Sequence, residues 1–544
     1  MTREAYGASA DSIEVDAHFG IASSTKPCCG KAIMATDHVR VRVRDVSRPP
    51  ALAVTLLLLA GVVLAGCSGK EAAAPAASPP PATSGVRVGD QPNIVLITSD
   101  DQTKPELKWM PQTRQLLGRT GVTFNNMIAP HPNCCPARAQ ILSGEYAQNN
   151  GVRTNSPPWG GHEGFDPDTA LPLWLQEAGY RTGFIGKYMH GYDQDDGIEP
   201  GWDEWKPIVG TLSDYRSFLQ YDNGQLVQFT ESDYYTDVVA QQSTDLVTQF
   251  SSTGQPFFLW SSFIAPHGTC QGNSETDCSG PPPAADRHAG LLGDVVLPSL
   301  SAPSFNEADR GDKPRDVQEL PEVVPAEQQT IYTARLRTLA ALDEAVAGIV
   351  SALDAAGTLD DTVILFTSDN GYLFGEHRLV GKNVPYEESL RVPLVMRGPE
   401  IPAGERRKQI VSMTDLAPTI AELAKAEPMV EIDGRSLLGY AVEDRRQRDR
   451  GLLIQAGSKG KDKATAWKWR GVRTKRYTLV RWQRPRFVEL YDRTTDPYQL
   501  TNVALDPDYR QVRRALADYL DVLEDCAGPK CRTLVPKLPE PGVR

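Results

Sequence analysis

Two distant stretches share one hydropathy pattern. PNIVLITSDDQ (92–102) and DTVILFTSDNGY (361–372) are each a short, unbroken run of β-branched and other apolar residues that ends abruptly in polar ones. A run of this length closed by turn formers reads as a strand buried on both faces. LPLWLQEAGYRTGFIGKY (171–188) reads as helix, Gly turn, strand and a Gly-Lys exit. QQTIYTARLRTLAALDEAVAGIVSALDAAGTLDDT (328–362) has the spacing of an amphipathic helix, stops at Gly357 and hands over to the second acidic strand. The alternation predicts an α/β fold with a large, mainly parallel sheet flanked by helices. Ligands of such sheets collect beyond the carboxyl ends of the strands, where Asp100, Asp101, Asp369 and Asn370 fall.

From residue 405 the texture changes. QIVSMTDLAPTIAELA (409–424) reads as a further helix, and WKWRGVRTKRYTLVRWQRPRFVELYDRTTDPYQLTN (467–502) as short antiparallel strands with turns. YRQVRRALADYLDVLEDC (509–526) reads as a closing helix. The expected division is a catalytic α/β domain over 91–404 and a smaller antiparallel α+β subdomain with a tail over 405–544. The Pro-rich stretch 279–325 is expected to be an inserted loop near the site, and 150–235 and 268–325 to shape its rim.

The beginning of the chain carries a different pattern. ALAVTLLLLAGVVLAGC (51–67) is apolar, short and preceded by the net basic HVRVRVRDVSR. That is the layout of an export signal, and it is shorter than a comfortable membrane span of about 20 residues. A plain N-terminal anchor is the other reading. Leu64-Ala65-Gly66-Cys67 resembles the lipobox of bacterial lipoproteins, which implies lipidation of Cys67 and removal of the peptide before it. Residues 1–66 are thus read as extension and signal, with Met34 the expected start, and 67–90 as a lipid-anchored, Pro- and Ala-rich flexible linker. The expectation is an exported protein held at the outer face of a bacterial cell membrane.

The net charge of −12 disfavours nucleic acid as a partner, because such binders carry a basic face. It does not exclude an anionic small substrate, since a few Lys and Arg can dominate the field in a pocket. Export permits disulfides. Cys270 with Cys278, and Cys526 with Cys531, form two local pairs and are expected to be bridged. Cys134 and Cys135 then have no evident partner. They precede Pro136 and the helix-prone ARAQILSG, so they are placed at a helix N-terminus, where free N–H groups favour an anion and lower a thiol pKa. A pair of small buried apolar side chains is the competing reading. The acidic strand ends offer an all-oxygen donor set that suits a hard cation such as Ca²⁺ or Mg²⁺. Acidic residues also serve as helix caps and turn formers, and it is their repeated placement after two strands that points to a metal.

CCPARAQILSG (134–144) resembles the sulfatase signature, Cys-x-Pro-Ser/Ala-Arg followed by Ser/Thr-Gly, and GYRTGFIGKYMH (179–190) resembles the second sulfatase signature. IAPHG (264–268), GEHRLVGKNVPYEESLRVPLVMRGP (375–399) and ELYDRTTDPYQLTN (489–502) also read as sulfatase segments, so the resemblance covers roughly 90–525. The vicinal CCP, GKY and SFNEADRGDKP (304–314) are most similar to the N-acetylglucosamine-6-sulfatase and extracellular heparan sulfatase branch. The resemblance implies an alkaline-phosphatase-like fold and sulfate ester hydrolysis. It implies that a separate maturation enzyme oxidises Cys134 to Cα-formylglycine (3-oxoalanine), whose hydrate attacks sulfur and later expels sulfate. It implies Ca²⁺ held by Asp100, Asp101, Asp369, Asn370 and residue 134, with Arg138 holding the hydrate. Lys187 and Lys382 would grip the sulfate, His267 would protonate the leaving alcohol and His190 would take the hydrate proton. Many sulfatases place that last histidine one residue closer to the lysine. Lys187 and Lys382 read by themselves as solvated loop charges. His131 is read as structural, and His377 as a residue that could line the pocket.

The resemblance leaves three functions to separate. The leading one is hydrolysis of sulfate esters, of sulfated carbohydrates or of small molecules. The second is phosphonate or phosphate ester hydrolysis by the same superfamily, and the third is an unmatured surface protein that only binds sulfated glycans.

Overall fold

The computed structural model describes residues 91–210, 214–270, 278–447, 450–458, 466–483 and 485–542. The expected signal, the lipidation of Cys67 and the linker lie outside the described residues. No helix among the described residues is long and apolar enough to cross a membrane.

The strands in chain order are β1 (Asn93–Ser99), β2 (Val122–Ile128), β3 (Arg181–Gly186), β4 (Glu204–Val209), β5 (Leu219–Asp222), β6 (Gln225–Gln228), β7 (Phe257–Ser262), β8 (Thr362–Ser368), β9 (Leu373–Phe374), β10 (Val380–Gly381), β11 (Arg391–Val392), β12 (Leu394–Arg397), β13 (Glu405–Ser412), β14 (Leu452–Gly457), β15 (Trp467–Arg473), β16 (Tyr477–Gln483) and β17 (Arg486–Asp492). The large sheet has 11 strands in the order β11-β2-β12-β8-β1-β7-β3-β4-β5-β6, with β13 added to β2. Its centre, β8-β1-β7-β3-β4, is parallel, and antiparallel strands extend it at both sides. The α/β expectation is met in this form.

β1 shows why the centre is apolar throughout. Ile94 and Leu96 enter one hydrophobic core with Trp174, Phe184 and Trp260. Val95 and Ile97 enter a second core on the opposite face, with Phe250, Leu336 and Leu342. Successive side chains of a strand point to opposite faces, so a strand sandwiched between two helical layers needs apolar residues at every position. The helix Pro325–Ala355 covers one face and the helix Leu416–Ala424 the other.

β14 to β17 form a separate antiparallel sheet, packed on the helix Arg510–Glu524 through Leu453, Val472, Leu479, Leu516 and Leu520. This is the expected smaller α+β element. β13, which follows residue 404, pairs with β2 in parallel and belongs to the large sheet. The helix expected over 409–424 is correspondingly a strand through Ser412, a turn over Met413–Asp415 and a helix from Leu416. Disulfides join Cys270 to Cys278 and Cys526 to Cys531.

Candidate active site

Strand register builds the site. In β1 and β8 Ser99 pairs with Ser368, in β1 and β7 Thr98 pairs with Ser262, and in β3 and β7 Gly186 pairs with Ser262. The four parallel strands therefore end almost level. The residues that follow emerge side by side: Asp100 and Asp101, Asp369 and Asn370, Lys187, and the turn that carries His267. Gly186 has φ 106°, and a Cβ there would stand 1.9 Å from the Ser262 carbonyl oxygen, so only glycine brings Lys187 this close to β7.

The helix Cys134–Ser143 begins after the extended Asn133 and ends at Gly144, whose φ is 71°. Its first residue is buried at the floor of a cavity of about 1010 Å³, lined by Asp101, Cys134, His190, His267 and Lys382 among others. Cys134 Sγ lies 2.9 Å from Lys382 Nζ, 3.6 Å from Lys187 Nζ and 3.6 Å from Asp100 Oδ1. Burial would raise this thiol, and Asp100 adds to that. Lys187, Lys382 and a hydrogen bond from His190 outweigh both and hold it well below the usual range. Its neighbour Cys135 is pushed up to about 12 by burial and by the charge of Cys134. Cys135 Sγ accepts from the His190 backbone N–H at 3.2 Å and belongs to the core.

The acidic groups are gathered by donors. Arg138 is completely buried and donates to the Lys187 carbonyl at 2.5 Å, Ser262 Oγ at 2.6 Å and Asp369 Oδ2 at 3.1 Å. It lies 3.5 Å from Asp100 Oδ2, which also pairs with Lys187. Burial opposes the charge on Asp100, yet Lys187, His267, Lys382 and Arg138 hold the carboxyl well below its ordinary value. Asp369 accepts from the backbone N–H of Asp101 and of Asn370 as well as from Arg138. Asp101 pairs with Lys382 and accepts from Asn370 Nδ2 at 2.7 Å. His267 Nε2 stands 3.7 Å from Asp101 Oδ2, and its Nδ1 is 2.7 Å from the Gly268 carbonyl oxygen. A carbonyl only accepts, so Nδ1 carries the hydrogen and Nε2 is free to exchange a proton with the cavity.

All ten site residues read from the sequence thus converge at one point. Among the described residues, one group of His, Cys and acidic side chains is close enough to share a cation: Asp100, Asp101, Cys134 and His267.

The family model described as sulfatase matches residues 92–426, more than half of the chain. The chain belongs to the sulfatase family. A second model, described as the N-sulphoglucosamine sulphohydrolase C-terminal region, matches residues 375–525 of this sulfatase. It is 30% identical to human N-acetylglucosamine-6-sulfatase over 552 aligned positions, covering 91% of this chain and 92% of that one. It is 33% identical to a putative extracellular sulfatase Sulf-1 homolog of Caenorhabditis elegans, over 66% of this chain and 50% of that protein. The chain therefore spans about half the length of that relative. A solved structure of a protein in complex with its substrate D-glucosamine-2-N,6-O-disulfate superposes with a TM-score of 0.66 and 22% identity, covering 79% of this sulfatase and 97% of that chain.

Two other histidines of this sulfatase were singled out by sequence. His131 is buried, accepts the Gly457 N–H at 3.2 Å and is held neutral, with burial lowering its pKa to about 3. His377 does not line the cavity. It is buried with Nδ1 2.6 Å from Glu307 Oε2 and its ring stacked on Tyr386 at 4.2 Å. Sequence reasoning missed Arg335, which donates to the Asp101 carbonyl at 2.6 Å and pairs with Glu106 at 2.8 Å. The signal was present: Arg335 stands between Ile331 and Leu339 on the apolar face of its helix. It also missed Asn155, which accepts the Cys135 N–H at 3.0 Å.

Proposed function

We propose that this chain hydrolyses sulfate esters of sulfated carbohydrates, including N-acetylglucosamine-6-sulfate-like groups, with Cys134 matured to formylglycine and one Ca²⁺ at the strand ends. The observation that carries the reading is the position of residue 134. It is a helix-terminal side chain at the floor of a cavity, flanked by two ammonium groups and facing a carboxylate cluster. The human relative is named for N-acetylglucosamine-6-sulfate, and the structural neighbour carries a 6-O-sulfated glucosamine.

The donor set suits Ca²⁺. Asp100, Asp101 and Asp369 are buried oxygen donors, and Asn370 Oδ1 is buried with no hydrogen-bond partner among the described residues. These four would hold the ion, with residue 134 as a further ligand. When bound, Ca²⁺ and the formylglycine supply the Lewis acidity and the oxygen nucleophile of the sulfatase reaction. The remaining work belongs to the chain's own side chains. Lys187 and Lys382 stand on either side of residue 134 and grip the oxygens of a sulfate placed above it, in a buried site where each contact counts for more than in water. Arg138 fixes Asp369 and Asp100 and, through Ser262 and the Lys187 carbonyl, the ends of two strands. His267 delivers a proton from Nε2 to the departing alcohol oxygen. His190, beside Cys134, receives one from residue 134.

The nematode relative is named as extracellular, which supports export here. A signal ending at Cys67 would leave the protein lipid-anchored, and a maturation enzyme is its required partner. The test compares turnover of p-nitrophenyl sulfate with that of p-nitrophenyl phosphate by protein matured in its host. Faster sulfate turnover is expected, and dominant phosphate turnover would overturn the reading. Mass spectrometry of the peptide spanning Cys134 is expected to show the aldehyde. An unmodified thiol in a protein that binds sulfated glycans without turning them over would make it a binding protein.

A further inference from the structure

A second cavity, of about 1400 Å³, opens where the edge of the large sheet meets the turns that follow β17. It is larger than the catalytic one, and Tyr372 lines both. Its charge is unusual for a chain of net charge −12. Lys104 Nζ donates to the Asn125 carbonyl at 2.6 Å, and Arg391 Nε donates to that same oxygen at 2.9 Å. Arg406 lines the same wall from β13, whose register sets it beside Thr123 of β2. Among the described residues none of these three cations has a carboxylate within ion-pair distance.

The acidic groups of the cavity are otherwise engaged. Glu387 is held by Arg473 at 2.7 Å and Arg493 at 3.4 Å. Glu405 pairs with Arg407 at 3.4 Å, and Glu376 accepts the Phe374 N–H at 2.6 Å. Burial, and then Glu376, push Glu388 up to about 8, so it carries little charge near neutral pH. The surplus is visible in the cations. Burial, then Arg391 and Arg406, pull Lys104 down to about 7 against the opposing charge of Glu387, and burial with Arg473 pulls Arg493 down to about 10 against the same carboxylate. Crowding cations this way costs free energy that a bound anion would recover.

We propose that this cavity is a second anion site, separate from the catalytic one, that takes a sulfate group of a sulfated glycan chain between Lys104, Arg391 and Arg406. The identity of the ligand rests on the function proposed above, while the anion preference stands on the cations alone. A sugar chain fits better than a free ion. The cavity holds far more than one oxyanion, and Tyr332, Tyr372, Phe374 and Tyr498 offer it aromatic surface.

The test uses the full chain carrying Cys134→Ala, so that the ligand is not consumed, and a heparin-derived hexasaccharide as the probe. Calorimetry is expected to give binding at least about tenfold weaker when Lys104→Gln and Arg406→Gln are added, with the difference shrinking as salt rises. Lys104→Arg should keep the affinity. Arg406 is exposed, so Arg406→Glu reverses a charge without disturbing the interior and should weaken binding by itself. With Cys134 intact, the double variant should turn over p-nitrophenyl sulfate like the parent, which separates this site from the catalytic reading. Unchanged hexasaccharide affinity in the double variant would overturn the proposal. So would inorganic sulfate binding as tightly as the hexasaccharide, since that would make the cavity an ion site and not a glycan site.

Discussion

Arg335→Met isolates the residue that joins the core to the site. Arg335 is 1% exposed. It gives Nε and Nη2 to Glu106, both at 2.8 Å, Nη2 to the Asp101 carbonyl at 2.6 Å and Nη1 to the Pro266 carbonyl at 3.2 Å. Its guanidinium lies 4.6 Å from the Tyr372 ring and 5.2 Å from the Phe374 ring. Methionine keeps most of the volume, so the loss is electrostatic and not a cavity. Breaking a buried ion pair from one side costs about 3–5 kcal/mol. Glu106 keeps the Thr103 N–H at 2.8 Å and hydroxyl at 3.0 Å, which favours the lower end. Two carbonyls lose a donor, which works the other way. The expected destabilisation is about 3 kcal/mol, read as a lower urea midpoint at constant slope by tryptophan fluorescence. Asp101 and the turn before His267 lose a common anchor, so the Ca²⁺ needed for half-maximal turnover should also rise. Adding Glu106→Gln to Arg335→Met should recover part of the stability, because the stranded charge is gone. A loss below about 1 kcal/mol, typical of an exposed pair, with unchanged Ca²⁺ dependence would refute the reasoning.

The paired cysteines should separate cleanly. Cys134→Ala is expected to abolish sulfate ester turnover, while Cys135→Ala, which removes one core sulfur, should keep activity within a few-fold; the reverse pattern in a p-nitrophenyl sulfate assay would reassign the site. Chelation of Ca²⁺ with EGTA should remove activity, with recovery on adding Ca²⁺ back, and persistence of full activity after exhaustive chelation would exclude the ion. His131 is neutral in the folded chain down to about pH 3 and titrates near 6.5 when unfolded. In that window the unfolded chain binds the extra proton, so stability is complete above pH 6.5 and falls as pH drops toward 3. His131→Asn should flatten that slope in urea midpoints measured between pH 4 and 7, and an unaltered slope would show that other groups set it.

The site was legible wherever chemistry and chain order coincide. The unbroken apolar runs before Asp100 and Asp369 mark buried parallel strands without further information, and Pro136 after Cys134 and Cys135 marks a helix start. Pairing between β1 and β8 bridges residues 93 and 362, and no local pattern encodes it. The two acidic ends are legible as duplicates that could share an ion, while the register that sets Ser99 beside Ser368 is not. Weakly patterned edges were harder. β5 and β6 are short and half polar, and Pro393 separates β11 from β12. The last four residues of β13 read as helix because QIVS runs straight into MTDLAPTIAELA, whose helical period dominates a window spanning both. His377 shows a different limit. It follows Glu376 in a turn with φ 54°, and only its contacts with the distant Glu307 and Tyr386 show that it faces away from the cavity.

Residues that support the site from behind are the least legible, because the atoms by which they touch it are backbone atoms. Arg335 recognises two carbonyl groups, and Asn155 recognises the N–H of Cys135; any residue type supplies those. The same holds for the cation cavity. Lys104, Arg391 and Arg406 come from three elements and meet at one carbonyl of Asn125 and the strand beside it. A formal charge of −12 concealed them, since the acidic surplus is spread over the chain while this positive charge is confined to one wall. The sign that governs an anion is the field where it binds and not the total. On that ground an acidic chain can hold two sites for sulfate: one where Lys187 and Lys382 face residue 134, and one where three cations share a wall without a carboxylate partner among the described residues.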